Sequence, residues 1–293
     1  MNTRVKDGRN AARSLLGLLW VVLLGYGVPI GPGLLACSKS LDIDAGGKPV
    51  AKPGELPTCD AKPPGTVRGA AMAPVGYAGG TCFWIDRTEV SRAEYATFLA
   101  AADAASFLPA GCSADAGFGT SACEQKAAGG SVVIGMDPQQ PIVCVNWCDA
   151  ATYCRWAGKT LCEGVWGSAT DAAKSSWYSA CTMGGTTNIP APQSTPESCN
   201  AAGNPSTGCD KGACTSVPVG TSGCVTSAGV YDMSGNVSEW TAECESSAST
   251  SHCLARGGSM ADDSISCQAD GLPLTRDTAL PDLGFRCCAY PNE

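Results

Sequence analysis

The chain has 293 residues, including 19 Cys, 36 Gly and 19 Pro, and 44% of it is hydrophobic, so it is globular rather than disordered or collagen-like. Lys and Arg number 19 against 27 Asp and Glu, a net charge of −8 at pH 7, which argues against a nucleic-acid binder with a broad basic face. The single histidine, His252, excludes metalloprotease motifs built on two histidines and most histidine-based acid–base schemes.

The N-terminus has the pattern of an export signal. Basic residues are concentrated in positions 1–13, and an apolar run interrupted by prolines and glycines follows from Leu15 to Leu35. A basic region followed by an apolar stretch predicts a secretory signal, with a retained signal anchor as the alternative. The run ends in the tetrapeptide LLAC, which closes on Cys37 and resembles a bacterial lipobox.

The lipobox resemblance implies cleavage before Cys37 and acylation of its sulfur. Residues 1–36 are then a lipoprotein signal peptide, and the lipid at Cys37 anchors the chain to the bacterial cell envelope. By analogy, Ser38 favours the outer membrane over the inner one. Residues 37–64 are rich in Pro, Gly and Lys and predict a flexible tether, which leaves 65–293 for one large domain, with two small domains as the alternative.

Cysteine counting predicts a disulfide-rich domain. Without Cys37, 18 cysteines remain, an even number in an exported and oxidising setting. Structural zinc is the alternative, but no CxxC pair occurs and the spacings fit no common zinc finger. Because adjacent cysteines seldom pair with each other, Cys287 and Cys288 are expected to reach two different partners.

The first regular elements of the domain are a strand and a helix. The apolar run Cys82–Asp86 (CFWID) predicts a strand. Ser91 with Glu94 three places on has the pattern of a capping box, and apolar residues at helical spacing predict a helix over 92–103.

Further along the chain, regular structure becomes sparse. Pro141–Trp147 (PIVCVNW) predicts a second strand, and Asp149 is a plausible N-cap for a helix that stops at Gly158. From Cys181 to Ser227 the sequence has almost no periodic apolar pattern but contains five cysteines. This segment therefore predicts irregular backbone held by disulfides.

Five segments, in order, resemble the formylglycine-generating enzyme family, also called sulfatase-modifying factor domains. They are Cys82–Phe98 (CFWIDRTEVSRAEYATF), Pro141–Leu161 (PIVCVNWCDAATYCRWAGKTL), Gly229–Thr241 (GVYDMSGNVSEWT), Arg256–Ser259 (RGGS) and Leu283–Cys288 (LGFRCC). The resemblance implies a compact, loop-rich α+β fold of the C-type-lectin-like kind.

The segment GVYDMSGNVSEWT also predicts a cation site. Asp232 and Glu239 supply carboxylates, and Gly235 and Val237 supply main-chain carbonyls, all of them hard oxygen ligands. The resemblance implies Ca²⁺ on the same four residues. A surface turn with solvated acids is the alternative.

The resemblance implies a second calcium site in the long irregular segment. Asn200 and the carbonyl of Ala201 are its candidate ligands, with Asp210 as a further partner. Arg286, in LGFRCC, is expected to be buried or half-buried and to donate hydrogen bonds to loop carbonyls.

Catalytic members of the family oxidise a substrate cysteine to formylglycine with O₂ and Cu(I), which two thiolates hold in the loop after the GGS motif. In this chain the second thiolate position falls on Cys267 and the first on Asp262, whose carboxylate is a poor ligand for Cu(I). Ser259 corresponds to the family's oxygen-site serine. Cys267 and Ser259 are catalytic only if the chain is active, and the even cysteine count favours a disulfide at Cys267 instead.

These observations favour a non-catalytic, calcium-stabilised envelope lipoprotein that binds a small-molecule, glycan or protein ligand. Asp262 and Asp263 in its pocket would favour cationic or hydroxylated ligands. Two alternatives remain at this stage: a formylglycine-generating oxidase that uses Cu and O₂, and a purely structural envelope protein. No nucleic-acid partner is expected.

Overall fold

The computed structural model describes residues 59, 62–63, 65–77, 80–113, 117–128, 130–168, 170–201, 214–268 and 271–291. Internal contacts divide the chain into Met1–Leu41 and Asp42–Glu293, and all described residues belong to the second unit. The predicted signal peptide, Cys37 and Asp210 lie outside the described residues. Within the described part, no helix has the length and apolar character needed to cross a membrane.

The strand predicted from CFWID lies inside a four-stranded antiparallel sheet. In sheet order its strands are β1 (Met72–Gly76), β2 (Cys82–Asp86), β10 (Cys287–Ala289) and β4 (Thr160–Leu161). Phe83 and Ile85 are fully buried on one face of β2, and Trp84 is buried on the other. A central strand covered on both faces accounts for the unbroken apolar run.

A second four-stranded sheet carries the C-terminal half of the domain. Its order is β8 (Leu272–Thr275), β7 (His252–Arg256), β6 (Ser238–Cys244) and β9 (Leu283–Phe285), with only β6 and β9 parallel. A short parallel pair joins β3 (Val132–Val133) to β5 (Cys214–Thr215). Because β9 and β10 are separated only by Arg286, this residue lies where the chain passes from one sheet to the other.

Helix α1 (Arg92–Leu99) has the predicted capping box. The N–H of Glu94 donates to Oγ of Ser91 at 3.3 Å, and the N–H of Ser91 donates to the Glu94 carboxylate at 2.8 Å. The helix ends at Leu99 rather than at residue 103, because the N–H of Ala101 bonds three residues back and tightens the last turn. A 3₁₀ turn, Ala104–Phe107, follows.

Helix α3 (Trp147–Trp156) begins earlier than the sequence predicted, so the assignment of Asp149 as N-cap is wrong. The cap is Asn146, whose Oδ1 accepts the N–H of Asp149 at 3.0 Å, while the Asp149 carboxylate accepts the N–H of Asn146 at 3.2 Å. Asp149 is thus the reciprocal partner in a capping box. Gly158 follows the helix with φ 74°, as its predicted stop requires.

The strand predicted for residues 141–147 is also wrong. Pro141 makes one isolated bridge, and Trp147 already belongs to α3. The apolar run is nevertheless buried from Pro141 to Val145, so tertiary packing rather than sheet pairing accounts for its composition. Two further short helices are α2 (Ser121–Ala127) and α4 (Ser176–Thr182).

Disulfides join loops to the regular elements throughout the described part of the chain. Eight are Cys59–Cys82, Cys112–Cys148, Cys123–Cys144, Cys154–Cys287, Cys162–Cys288, Cys181–Cys267, Cys199–Cys224 and Cys244–Cys253, and Cys214 is also disulfide-bonded. The adjacent cysteines of β10 reach two different partners, as predicted. The prediction of an irregular segment held by disulfides is confirmed for its described residues, apart from the end of α4 and the two-residue strand β5.

Candidate functional site

The cysteine at the predicted copper position is in a disulfide. Cys267 is fully buried, and its sulfur is bonded to that of Cys181, in α4. Its backbone N–H donates to the carbonyl of Asn188, which fixes the loop from a second side. Cu(I) requires thiolates, and a disulfide sulfur carries no such charge. Because the other position holds Asp262, the residues present do not fit a Cu(I) pair.

Ser259 is enclosed by two carboxylates. It is 1% exposed, and its Oγ lies 3.1 Å from Oδ2 of Asp262 and 2.9 Å from Oδ2 of Asp282. Its N–H also donates to Asp262 at 2.6 Å. Asp282 is a partner that the sequence did not reveal. The hydroxyl of Ser259 therefore faces protein oxygens.

Asp262 and Asp263 lie at the surface outside this serine. Both are exposed, as is Ser264 after them, so they form an acidic loop. A cavity of about 180 Å³ lies elsewhere, beside β1 and α4. Its lining includes Val75 and Met183 but none of the predicted pocket residues. That volume is small beside the roughly 300–1,000 Å³ of ordinary ligand pockets.

The predicted calcium turn is built from left-handed backbone. Asp232, Gly235 and Asn236 have φ values of 56°, 84° and 58°. A Cβ on Gly235 would lie 1.9 Å from the carbonyl oxygen of Cys199, so only glycine fits there. The turn therefore packs closely against Cys199, and residues 232–237 are all buried.

Asp232 has a carboxylate without hydrogen-bond partners. The residue is 1% exposed, and neither oxygen accepts a hydrogen bond of good geometry. Burial raises the pKa of Asp232 to about 6, although the nearby Ser222 hydroxyl and Arg286 charge act in the opposite direction. The acidic turn is therefore buried, and its carboxylate is not solvated.

Glu89, just before α1, is the second buried acid in this region. Its Oε1 accepts a hydrogen bond from Nδ2 of Asn236 at 2.8 Å, whereas its Oε2 has no hydrogen-bond partner. Burial, and then the charge of Asp232, raise the pKa of Glu89 well above its ordinary value. The sequence reading missed this residue, although an acid next to the apolar Val90 in the CFWIDRTEV segment was a signal.

Glu239, the other predicted carboxylate ligand, already has partners on both oxygens. Oε2 accepts from Nε of Arg286 at 2.7 Å and from Nε1 of Trp177 at 2.8 Å, and Oε1 accepts from Nη2 of Arg286 at 2.5 Å. Burial lowers the pKa of Arg286, but the charge and hydrogen bonds of Glu239 raise it by more than burial lowers it. The net shift of the pKa is therefore upward. Arg286 also donates to the carbonyl of Tyr231, as the sequence predicted for loop carbonyls, and to the carbonyl of Asp86 at the end of β2.

The predicted second site lies only partly within the described residues. Asn200 is 1% exposed, and its Nδ2 donates to Oδ1 of Asn236 at 2.9 Å and to the carbonyl of Thr215 at 3.2 Å. Its Oδ1 has no hydrogen-bond partner. Ala201 is fully buried beside it. The two predicted calcium regions are therefore joined through Asn236.

Three carboxylates thus surround one guanidinium. Glu89, Asp232 and Glu239 carry three negative charges when ionised, against one positive charge on Arg286, and all four are buried. We call these four residues the acid cluster. Among the described residues, no group of three or more His, Cys, Asp or Glu side chains is placed to hold a metal ion by itself. A cation in this region would therefore also need carbonyl or amide oxygens.

These features define a disulfide-linked, loop-rich α+β domain with a buried acid cluster and a disulfide at the predicted copper position. A comparison with family models matches residues 58–290 to the sulfatase-modifying factor enzyme 1-like domain. The chain belongs to this family, and the fold expected from the five segments is confirmed.

Solved structures of the same fold include two with low sequence identity. CarF is 17% identical, with a TM-score of 0.50, 81% of this chain covered and 97% of that one. PvdO from Pseudomonas aeruginosa is 19% identical, with a TM-score of 0.51, 83% of this chain covered and 100% of that one. A comparison with curated proteins finds no match. At these identities the likeness concerns the fold alone.

Proposed function

We propose that the chain is a non-catalytic, calcium-stabilised member of its family that binds a ligand or partner at the cell envelope. Ligand contact would use the acidic loop around Asp262 and Asp263, because both side chains are exposed while Ser259 behind them is enclosed. The negative charge of this loop favours cationic or hydroxylated ligands.

The observation that carries this proposal is the buried Cys181–Cys267 disulfide. Formylglycine formation in the family needs two thiolates on Cu(I). Here one sulfur is oxidised and the other position holds a hard carboxylate. Restoring the metal pair would require both reduction of a buried disulfide and a new cysteine at Asp262.

This reasoning predicts how copper binding responds to mutation. The wild-type exported chain should show no free thiol when it is denatured without reductant. The folded chain should not compete with a Cu(I) chelator. Cys181→Ala should release the thiol of Cys267 and bind Cu(I) weakly, because one thiolate is too few. Cys181→Ala combined with Asp262→Cys should supply two soft ligands and bind Cu(I) tightly.

The measurements are a thiol count and a Cu(I) competition titration, with a cysteine-containing peptide as substrate for an oxidase assay. Asp262→Ser in the Cys181→Ala background is the matched control, since it removes the carboxylate without adding sulfur. Tight Cu(I) binding by the wild-type chain, or formation of formylglycine by it, would reject the non-catalytic role in favour of the oxidase.

A purely structural role is the second candidate, and the enclosure of Ser259 favours it. The two roles differ in what the acidic loop does. Replacing Asp263 by Asn should leave envelope integrity unchanged in either role, and should weaken retention of a cationic or hydroxylated ligand only if the loop binds one. Asp262 is left in place because its carboxylate also accepts two hydrogen bonds from Ser259.

Anchoring at the envelope rests on the lipobox resemblance at Cys37. Cys37→Ala is expected to prevent acylation and to move the chain from the membrane fraction to the soluble or secreted fraction. Ser38→Ala, which leaves the acylated sulfur in place, is the control for membrane attachment. Metabolic labelling with a fatty acid, followed by fractionation, measures both. Persistent labelling of Cys37→Ala would contradict the proposed anchor.

A further inference from the structure

The buried carboxylate oxygens that lack hydrogen-bond partners belong to Glu89 and Asp232, not to Glu239. Both residues are at least nine-tenths buried, so these oxygens cannot gain hydrogen bonds from bulk water. Burying these oxygens is costly, because no hydrogen bond of good geometry repays their desolvation and the charge of Arg286, 4.0 Å from Glu89 Oε2, repays it only in part. These oxygens are therefore available to bind a group that the described residues do not supply.

Glu239 is in the opposite situation. Its two oxygens accept three hydrogen bonds, from Arg286 and Trp177, and Arg286 neutralises its charge at short range. Recruiting Glu239 to a cation would break these short buried hydrogen bonds, whereas Glu89 Oε2 has only the more distant approach of the same guanidinium at 4.0 Å. Glu239 is better explained as the anchor of Arg286.

The charge of the acid cluster indicates what the missing group is. Arg286 Nη2 lies 2.5 Å from Glu239 Oε1 but 4.0 Å from Glu89 Oε2, so after Arg286 is matched with Glu239 the charges of Glu89 and Asp232 remain in excess. One divalent cation would balance two such charges. Ca²⁺ accepts carboxylate and carbonyl oxygens in flexible geometry, which suits two acids beside a tight turn.

We propose that Glu89 and Asp232 are the carboxylate ligands of the calcium ion, and that Glu239 instead holds Arg286 in place. The inference rests on the proposed calcium stabilisation but not on the absence of catalysis. It assigns Glu89, which lies far from the turn in sequence, to a site otherwise attributed to that turn alone. Calcium would then link the start of α1 to the loop before β6.

Asn236 fixes the orientation of Glu89. Its Nδ2 holds Oε1 of Glu89, while its Oδ1 accepts from Asn200 and from the N–H of Val217 at 2.9 Å. Because Oε1 is engaged in this way, Oε2 is the oxygen left for a cation. Asn236 is thus a positioning residue for the proposed site.

The test uses the exported chain, freed of metal by chelation, and its variants Glu89→Gln, Asp232→Asn and Glu239→Gln. Each is titrated with Ca²⁺ by calorimetry and melted with and without saturating Ca²⁺. The wild-type melting temperature should rise by about 5 °C or more at a hundredfold excess over the dissociation constant. Glu89→Gln and Asp232→Asn should each weaken Ca²⁺ binding at least about tenfold and lose most of the thermal shift.

Glu239→Gln should melt lower than wild type without calcium, yet keep its Ca²⁺ affinity within about threefold. Glu245→Gln, at an exposed glutamate, should match wild type in both measurements. Glu89→Gln should fold, because the amide oxygen can still accept from Asn236 and the buried excess charge is removed. Circular dichroism checks this, and Asp232→Asn gives an independent reading if Glu89→Gln is unfolded.

Two results would overturn the assignment, and they are distinguishable. A wild-type chain that neither binds nor is stabilised by Ca²⁺ would remove calcium from the proposed function as well. A wild-type chain that responds, with the response kept in Glu89→Gln and lost in Glu239→Gln, would reject only the present inference. The ligands would then be those of the turn alone.

Discussion

Removing the Cys181–Cys267 disulfide is expected to destabilise the domain by about 4 kcal/mol, because the bond closes a long loop and constrains the unfolded chain. Its cysteines are 86 residues apart, although other disulfides shorten the effective loop. The variant is Cys181→Ala with Cys267→Ala, since both sites are fully buried and a serine hydroxyl would lack a partner. For a domain of this size the melting temperature should fall by roughly 10 °C.

The matched control is the Cys244–Cys253 disulfide, whose cysteines are only 9 residues apart. Its removal by the same double alanine replacement should cost about 2.5 kcal/mol, since the loop that it closes is short. Denaturant unfolding without reductant compares the two variants. A negligible loss for Cys181–Cys267, well below that for Cys244–Cys253, would show that this bond does not contribute as a structural cross-link, which would reopen a redox role for Cys267.

The second large effect is expected for Arg286→Met. Arg286 neutralises Glu239 and faces Glu89 and Asp232, so its removal leaves three buried acids without the cation that they share. Breaking a buried ion pair by removing one partner typically costs about 3–5 kcal/mol. We expect at least this loss in the free energy of unfolding, measured by denaturant titration in the presence of a calcium chelator.

An exposed ion pair provides the control for Arg286→Met. Lys174 pairs with Asp171 at 3.1 Å, with side chains 54% and 41% exposed, and Lys174→Met should cost at most about 1 kcal/mol. Adding Glu239→Gln to Arg286→Met should restore part of the stability, because one uncompensated charge is removed. No recovery, together with a loss for Arg286→Met similar to that for Lys174→Met, would mean that this guanidinium does not stabilise the three carboxylates of the acid cluster.

Local patterns were sufficient where a short segment determines its own structure. The strand CFWID and the Ser91–Glu94 capping box follow from residues within one or two turns of each other, and both are present. The same approach misplaced the N-cap of α3, because Asn146 and Asp149 have equally good capping side chains and only the reciprocal hydrogen bonds distinguish them. Residues 141–147 failed as a strand because burial alone does not distinguish a paired strand from a packed loop.

The candidate site divides in the same way. The positions of Asp232 and Ser259 followed from motifs in the sequence, and so did the mismatch at Asp262. Glu89 and Asp282 could not be assigned in this way, because each reaches its partners from a distant segment. Glu239 was assigned to the turn from its motif, but it lies in β6, and its bond to Arg286 reaches the residue between β9 and β10.

The sequence by itself determined the family, the disulfide-rich character and the lack of a second cysteine in the copper loop, because these depend on residue identity and order. Only the tertiary structure decided that Cys267 joins Cys181 and that Glu239 is occupied by Arg286. Which sulfurs meet, and which carboxylates lack partners, depends on distances between segments far apart in the chain. Those distances are set by the packing of the two sheets and the loops around them, and not by any local pattern.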